Sequence, residues 1–93
     1  MTQQAQEDAV LQVAYPVEFD LLKRMMAATF FEGRQPRSAE YIKGVRDLLV
    51  FKLVEKPLKN PYPVATAQAD AWYAGVDEGH AVHRAHLGSR DAT

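Results

Sequence analysis

Two stretches decide how this chain folds: Tyr41-Ile42-Lys43-Gly44-Val45-Arg46-Asp47 and Trp72-Tyr73-Ala74-Gly75-Val76-Asp77-Glu78. An aromatic side chain three residues before a glycine puts both on one face of a helix. A shorter echo, Phe30-Phe31-Glu32-Gly33, precedes them. Glycine within a helix costs about 1 kcal/mol relative to alanine, so each of these positions calls for a packing or functional reason. Ala71, Gly75 and Gly79 extend the second stretch into a strip of small residues beside Trp72. Such a strip marks a close helix–helix crossing or a groove for another chain.

Proline and glycine divide the rest of the chain around these stretches. Before Tyr41, Ser38 is a good helix N-cap and Glu40 suits the first turn. The periodic positions Tyr41, Ile42, Val45, Leu48, Leu49 and Lys52 carry a helix to about Glu55, with Lys43 and Arg46 pointing away from its apolar side. The run Leu48-Leu49-Val50-Phe51 also fits a strand, but no turn signal precedes Pro57, which favours helix. Pro57, Pro61 and Pro63 then impose an extended or turning connection. Thr66 caps a further helix with the stripe Ala69, Trp72, Tyr73, Val76, His80, His83 and Leu87, and Gly88 is its expected end. Upstream, Pro16 opens a helix that stops near Gly33. Leu21, Leu22, Met25, Ala28 and Thr29 line one of its faces, and Phe19, Met26 and Phe30 another. Two apolar faces predict a central helix or one shared with a second chain. The fold class is therefore all-α: a single small three-helix domain, a helical hairpin plus an additional N-terminal helix. A short extra turn is placed around Asp8 to Val13, and residues 1–7 and 89–93 are expected to be mobile tails.

Composition excludes several function classes. The 93 residues are 47% apolar and 25% charged, which describes one globular domain. With no cysteine, the chain has no disulfide scaffold, thiol nucleophile or Cys-based metal site. The longest apolar run, Met25 to Phe31, falls well short of the roughly 18 residues of a membrane helix. The N-terminal sequence lacks the pattern of a secretory signal, so a cytoplasmic protein with no membrane contact is expected. The net charge of −1 conceals an uneven distribution. Residues 1–33 carry net −3, residues 34–59 net +4 and residues 60–93 net −2. A positive middle between acidic flanks is a modest candidate for phosphate contact.

Catalytic patterns are sparse. His80, His83 and His86 share one helix, but His86 is turned about 120° from His80 and displaced by about 9 Å, so the three cannot converge on one ion. A metal site would need Asp77, His80 and His83; half-buried packing accounts for the histidines equally well, and neither metal nor cofactor is expected. Ser38 reads as a cap and Ser89 lies near the end, with no nucleophile elbow, phosphate loop or dinucleotide fingerprint. Asp77 and Glu78 point about 100° apart and cannot face each other as an acid/base pair. An enzyme with a small-molecule substrate is therefore not expected. Tyr62, Trp72 and Tyr73 could stack on unpaired bases beside Lys56 and Lys59, or serve as core.

The helix bearing Tyr41 and Gly44, the connection bearing Pro61 and Tyr62, and the helix bearing Trp72 and Gly75 together resemble the ribosome modulation factor family. The resemblance spans Ala39 to about Arg84 and implies a helical hairpin that binds ribosomal RNA. Val76 stands where that family usually has a second tryptophan, and this chain is acidic where the family is basic.

These readings favour a small non-enzymatic binding module that occupies a macromolecular surface, as protein-binding regulators and phage-type inhibitors of host machinery do. Its contact residues would be Tyr62, Trp72, Gly75, Gly79 and His83, with a protein partner and a homodimer both envisaged. The alternative is a ribosome- or RNA-binding translation modulator using Arg34, Arg37, Lys43, Arg46, Lys56 and Lys59.

Overall fold

In the computed structural model, which describes residues 2–91, the chain is all-α. Its four helices are α1 (Gln3–Ala14), α2 (Pro16–Thr29), α3 (Ala39–Val54) and α4 (Ala67–Asp91). No strand occurs among the described residues, and Leu48 to Phe51 are helical. Helix α3 starts where Ser38 Oγ accepts the Tyr41 N–H at 3.2 Å and ends where Glu55 turns left-handed, its N–H donating to Phe51 O. Helix α4 starts where Thr66 Oγ1 accepts the Ala69 N–H at 3.1 Å; the same hydroxyl donates to Pro63 O.

The expected three helices are four, and the fourth lies at the N-terminus. What reads as a short turn and a mobile tail is a 12-residue helix that begins at Gln3 under a Thr2 cap. Tyr15 ends α1 by donating its N–H to Leu11 O and begins α2 by accepting from the Phe19 N–H. Pro16, which has no N–H to give, makes this junction an elbow rather than a continuation. At the other end α4 passes through Gly88 and reaches Asp91. A lone exposed glycine weakens a helix by only about 1 kcal/mol, too little to stop a 25-residue one. Residues 92–93 of the expected C-terminal tail lie outside the described residues, as does Met1.

Helix α3, not α2, is central. Val45, Leu48 and Leu49 are wholly buried, with α4 against one side of α3 and α2 against the other. Helix α2 buries Leu22 and Met25, and its second face, Phe19, Met26 and Phe30, packs against the same core. Much of both apolar faces is thus covered within one chain, with Ala28 left exposed, so α2 does not by itself call for a dimer. The third motif echo does not form a helix: Phe30 caps α2, and Gly33 bends the chain back at φ 95°.

The α3–α4 contact is a glycine-to-backbone crossing. A Cβ on Gly75 would overlap the Tyr41 carbonyl oxygen, and one on Gly44 would overlap the Trp72 carbonyl oxygen. The same added carbon on Gly75 would lie 3.1 Å from Gly44 Cα. The two helices therefore touch through their main chains, and neither obstacle can rotate away. At Gly79 an added Cβ would instead meet the Leu48 side chain first, 2.9 Å from its Cβ. Replacing Gly44 or Gly75 by alanine is expected to destabilise the domain by about 3 kcal/mol or more, by overpacking against rigid backbone. Gly88→Ala, with nothing within 4 Å, should stabilise it by up to about 1 kcal/mol. Chemical denaturation of the three variants checks this order.

Candidate functional site

The residues that the sequence points to as a protein-contact surface are mostly inside the molecule. Trp72 is 2% exposed and Gly75 and Gly79 are buried. The small-residue strip accommodates α3 of the same chain, so Trp72, Gly75 and Gly79 do not form an open groove. Tyr62 is half-buried against the core, and burial, followed by the charges of Glu40 and Asp47, raises its hydroxyl pKa. Its N–H donates to Asn60 Oδ1 within the linker. His83 is half-buried on α4, and its pKa is lowered by burial and by Lys52, His86 and His80. Tyr73 is the aromatic that α4 leaves outside, 53% exposed and edge-on to Trp72. No group of three potential metal ligands comes together among the described residues.

The two motif stretches also exchange hydrogen bonds. Tyr41 Oη donates to Glu78 Oε1, and Trp72 Nε1 donates to Asp47 Oδ2 at 3.0 Å. Each aromatic thus bonds the carboxylate three residues beyond the opposite glycine. Burial of an indole N–H and a phenol demands such partners, and the two-fold arrangement of the crossing supplies both.

The six candidate cations separate into two groups. Arg34 holds Glu78 in a bidentate pair at 2.9 and 2.7 Å and donates to Thr29 O at 2.6 Å. It also lies over the Phe30 ring, while Arg37 stacks 4.0 Å from the Tyr41 ring centroid. Hydrogen bonds from Arg34, opposed by burial and reinforced by Tyr41, hold the Glu78 carboxyl below its ordinary pKa. Glu78 in turn raises the Arg34 pKa, while burial and then Glu78 raise that of Tyr41.

The other four cations, Lys43, Arg46, Lys56 and Lys59, converge on a groove of about 740 Å³ between the start of α1, one side of α3 and the proline linker. Arg46 does not point outward as the helical spacing predicts. It is 6% exposed, bonded to Asp8 of α1, and near Glu7 and Asp47 at 3.7 and 3.4 Å. The unanticipated helix α1 supplies the carboxylates that bring it inside.

The sequence reading missed a further surface. At the α1–α2 elbow Val10, Val13 and Val17 are 66%, 86% and 73% exposed, and Tyr15 is 43% exposed. Beside them lies a groove of about 560 Å³ whose apolar lining is Val10, Leu11, Tyr15 and Val54. The signal was the recurrence of valine at 10, 13 and 17, hidden because Val10 and Val13 read as a short turn and Val17 as part of a separate helix. Comparison with protein-family models, curated proteins and solved structures finds no match for this chain.

Glu78 gives the site a definite pH response. Its folded pKa is depressed, so its stabilisation is full above the unfolded value of about 4.3 and is lost as pH falls through the folded value. Glu78→Gln should cost about 1.5–3 kcal/mol at neutral pH, the worth of hydrogen bonds to a charged group. Between about pH 5 and about pH 3 the variant should lose less stability than the parent chain. Equal losses in urea titrations at the two pH values would remove Glu78 from this role.

Proposed function

We propose that this chain is a small non-enzymatic binding module of the cytoplasm, a regulator or inhibitor that works by occupying a surface of a partner protein. The observation that carries the proposal is the valine ridge at the elbow. Val10, Val13 and Val17 stay in water although the fold needs none of them there, and each buried apolar Å² gains about 25 cal/mol. Val10 and Tyr15 also line the adjoining groove, and exposed apolar side chains gathered in one place mark contact sites. The non-enzymatic part is supported by the way the charged clusters are used: Glu78 is held by Arg34 and Tyr41, and Asp47 by Trp72, Lys43 and Arg46. Every oxygen of the two carboxylates is thus taken by a donor of the fold itself.

A second reading, a ribosome- or RNA-binding translation modulator, is favoured by the convergence of Lys43, Arg46, Lys56 and Lys59 on one groove. Salt separates the two. Bound RNA should be released between about 50 and about 200 mM salt, whereas a contact through the elbow valines should persist.

The double variant Val13→Asp, Val17→Asp tests the first reading. Both side chains are exposed, so each change should alter stability by no more than about 0.5 kcal/mol. The immobilised variant should lose the protein that the parent chain retains from a host lysate. Retention of the same protein by both at equal strength would overturn the reading.

A further inference from the structure

We propose that the basic groove between α1, α3 and the linker binds a small polyphosphate-bearing anion, of the class of inorganic pyrophosphate and the nucleoside di- and triphosphates. This groove adjoins the one at the elbow through Gln3, Glu7 and Lys56, but its ligand would be held by cations rather than by valines. Lys43, Arg46 and Lys56 face three carboxylates, those of Glu7, Asp8 and Asp47, and Lys59 adds a fourth cation to the lining. Those carboxylates are already divided. Arg46 takes Asp8 and shares Asp47 with Lys43, while Glu7 is shared between Arg46 and Lys56. Trp72 uses the remaining oxygen of Asp47. Lys59 is exposed and has no carboxylate within ion-pair distance among the described residues.

The geometry of the shared pairs leaves the lysines available. Lys43 sits 3.4 Å from Asp47 and Lys56 3.3 Å from Glu7, longer than the 2.7–2.9 Å of a strong charged hydrogen bond. Lys56 is also 48% exposed. Both ammonium groups can therefore turn to a better acceptor, and a phosphate is one. Arg46 is different: buried and bonded to Asp8, it stays with the carboxylates and leaves the lysines to meet a ligand. The first turn of α1 opens into the same space through Thr2, Gln3 and Gln4, which adds the positive end of a helix dipole to the lysine charges.

Size and lining fit a compact ligand. The groove's volume of about 740 Å³ lies within the range of about 300–1,000 Å³ typical of small-molecule sites. Val50, Pro57 and Pro61 give it an apolar wall suited to a base or sugar, beside the lysines suited to phosphates. An extended strand would need cations continuing beyond the groove. The two remaining candidates, Arg34 and Arg37, are engaged elsewhere with Glu78 and Tyr41.

Calorimetric titration of the full chain at low salt, with pyrophosphate and with ATP as the two probes, tests the proposal. Saturable binding at one per chain is expected. ATP binding more tightly than pyrophosphate identifies a nucleotide as the source of the phosphates, and the reverse identifies the inorganic anion. Lys59→Glu, at an exposed position, should weaken binding at least about tenfold, because it replaces an attraction by a repulsion. Lys43→Gln should weaken it less, and Lys23→Glu on α2, outside the groove, should leave it unchanged. Absence of saturable binding at millimolar probe would overturn the proposal, as would equal weakening by Lys23→Glu and Lys59→Glu. So would binding of an RNA fragment that excess pyrophosphate fails to displace, the outcome that an RNA contact requires.

Discussion

The structure depends on two main chains being allowed to touch. At the α3–α4 crossing each glycine admits the carbonyl of the opposite aromatic residue. Each aromatic then reaches the acid three residues past the opposite glycine. No side chain larger than hydrogen fits at Gly44 or Gly75 without moving backbone. The outer parts of the molecule attach to the same two acids. Arg34 fastens the α2–α3 connection to Glu78, and Arg46, beside Asp47, fastens α1 through Asp8 and Glu7. The acids that complete the crossing therefore also orient the cations that hold the periphery.

This arrangement explains which parts of the fold could be read from sequence. Ser38 and Thr66 act through neighbours three residues away, so their caps and the helices behind them are visible locally. The stripe of α3 is likewise local. Helix α1 was not readable in the same way, because only Leu11 on it is buried and its attachment comes from Arg46, some 38 residues distant. Arg46 was misplaced for the same reason: a helical wheel of α3 alone has no carboxylate to receive it. Gly88 misled because a glycine that touches nothing does not terminate a helix whose remaining residues support it.

The candidate site was partly readable, but in a different sense from the one first drawn. Trp72 and Gly75 do mark a close contact, and its occupant is α3 of the same chain. Of the six candidate cations in the positive middle segment, four meet in one groove, while Arg34 and Arg37 do not. That division depends on the turn at Gly33 and on the position of α1, both tertiary facts. Along α1 the surface therefore carries a valine elbow and a lysine-lined groove, whose linings meet at Gln3, Glu7 and Lys56. The two face water with opposite chemistry, and α1 contributes to both.

The reciprocity of the crossing constrains how the sequence can drift. Losing the indole N–H of Trp72 leaves one oxygen of Asp47 without its donor, and losing the Tyr41 hydroxyl leaves Glu78 to Arg34 alone. Change at either aromatic is thus coupled to change at an acid on the other helix, while both glycines are held by backbone alone. Aromatic, glycine and acid at three-residue steps are written twice in one chain, at Tyr41, Gly44 and Asp47 and at Trp72, Gly75 and Glu78. Two coupled pairs and two fixed glycines would identify a distant relative more reliably than overall identity would.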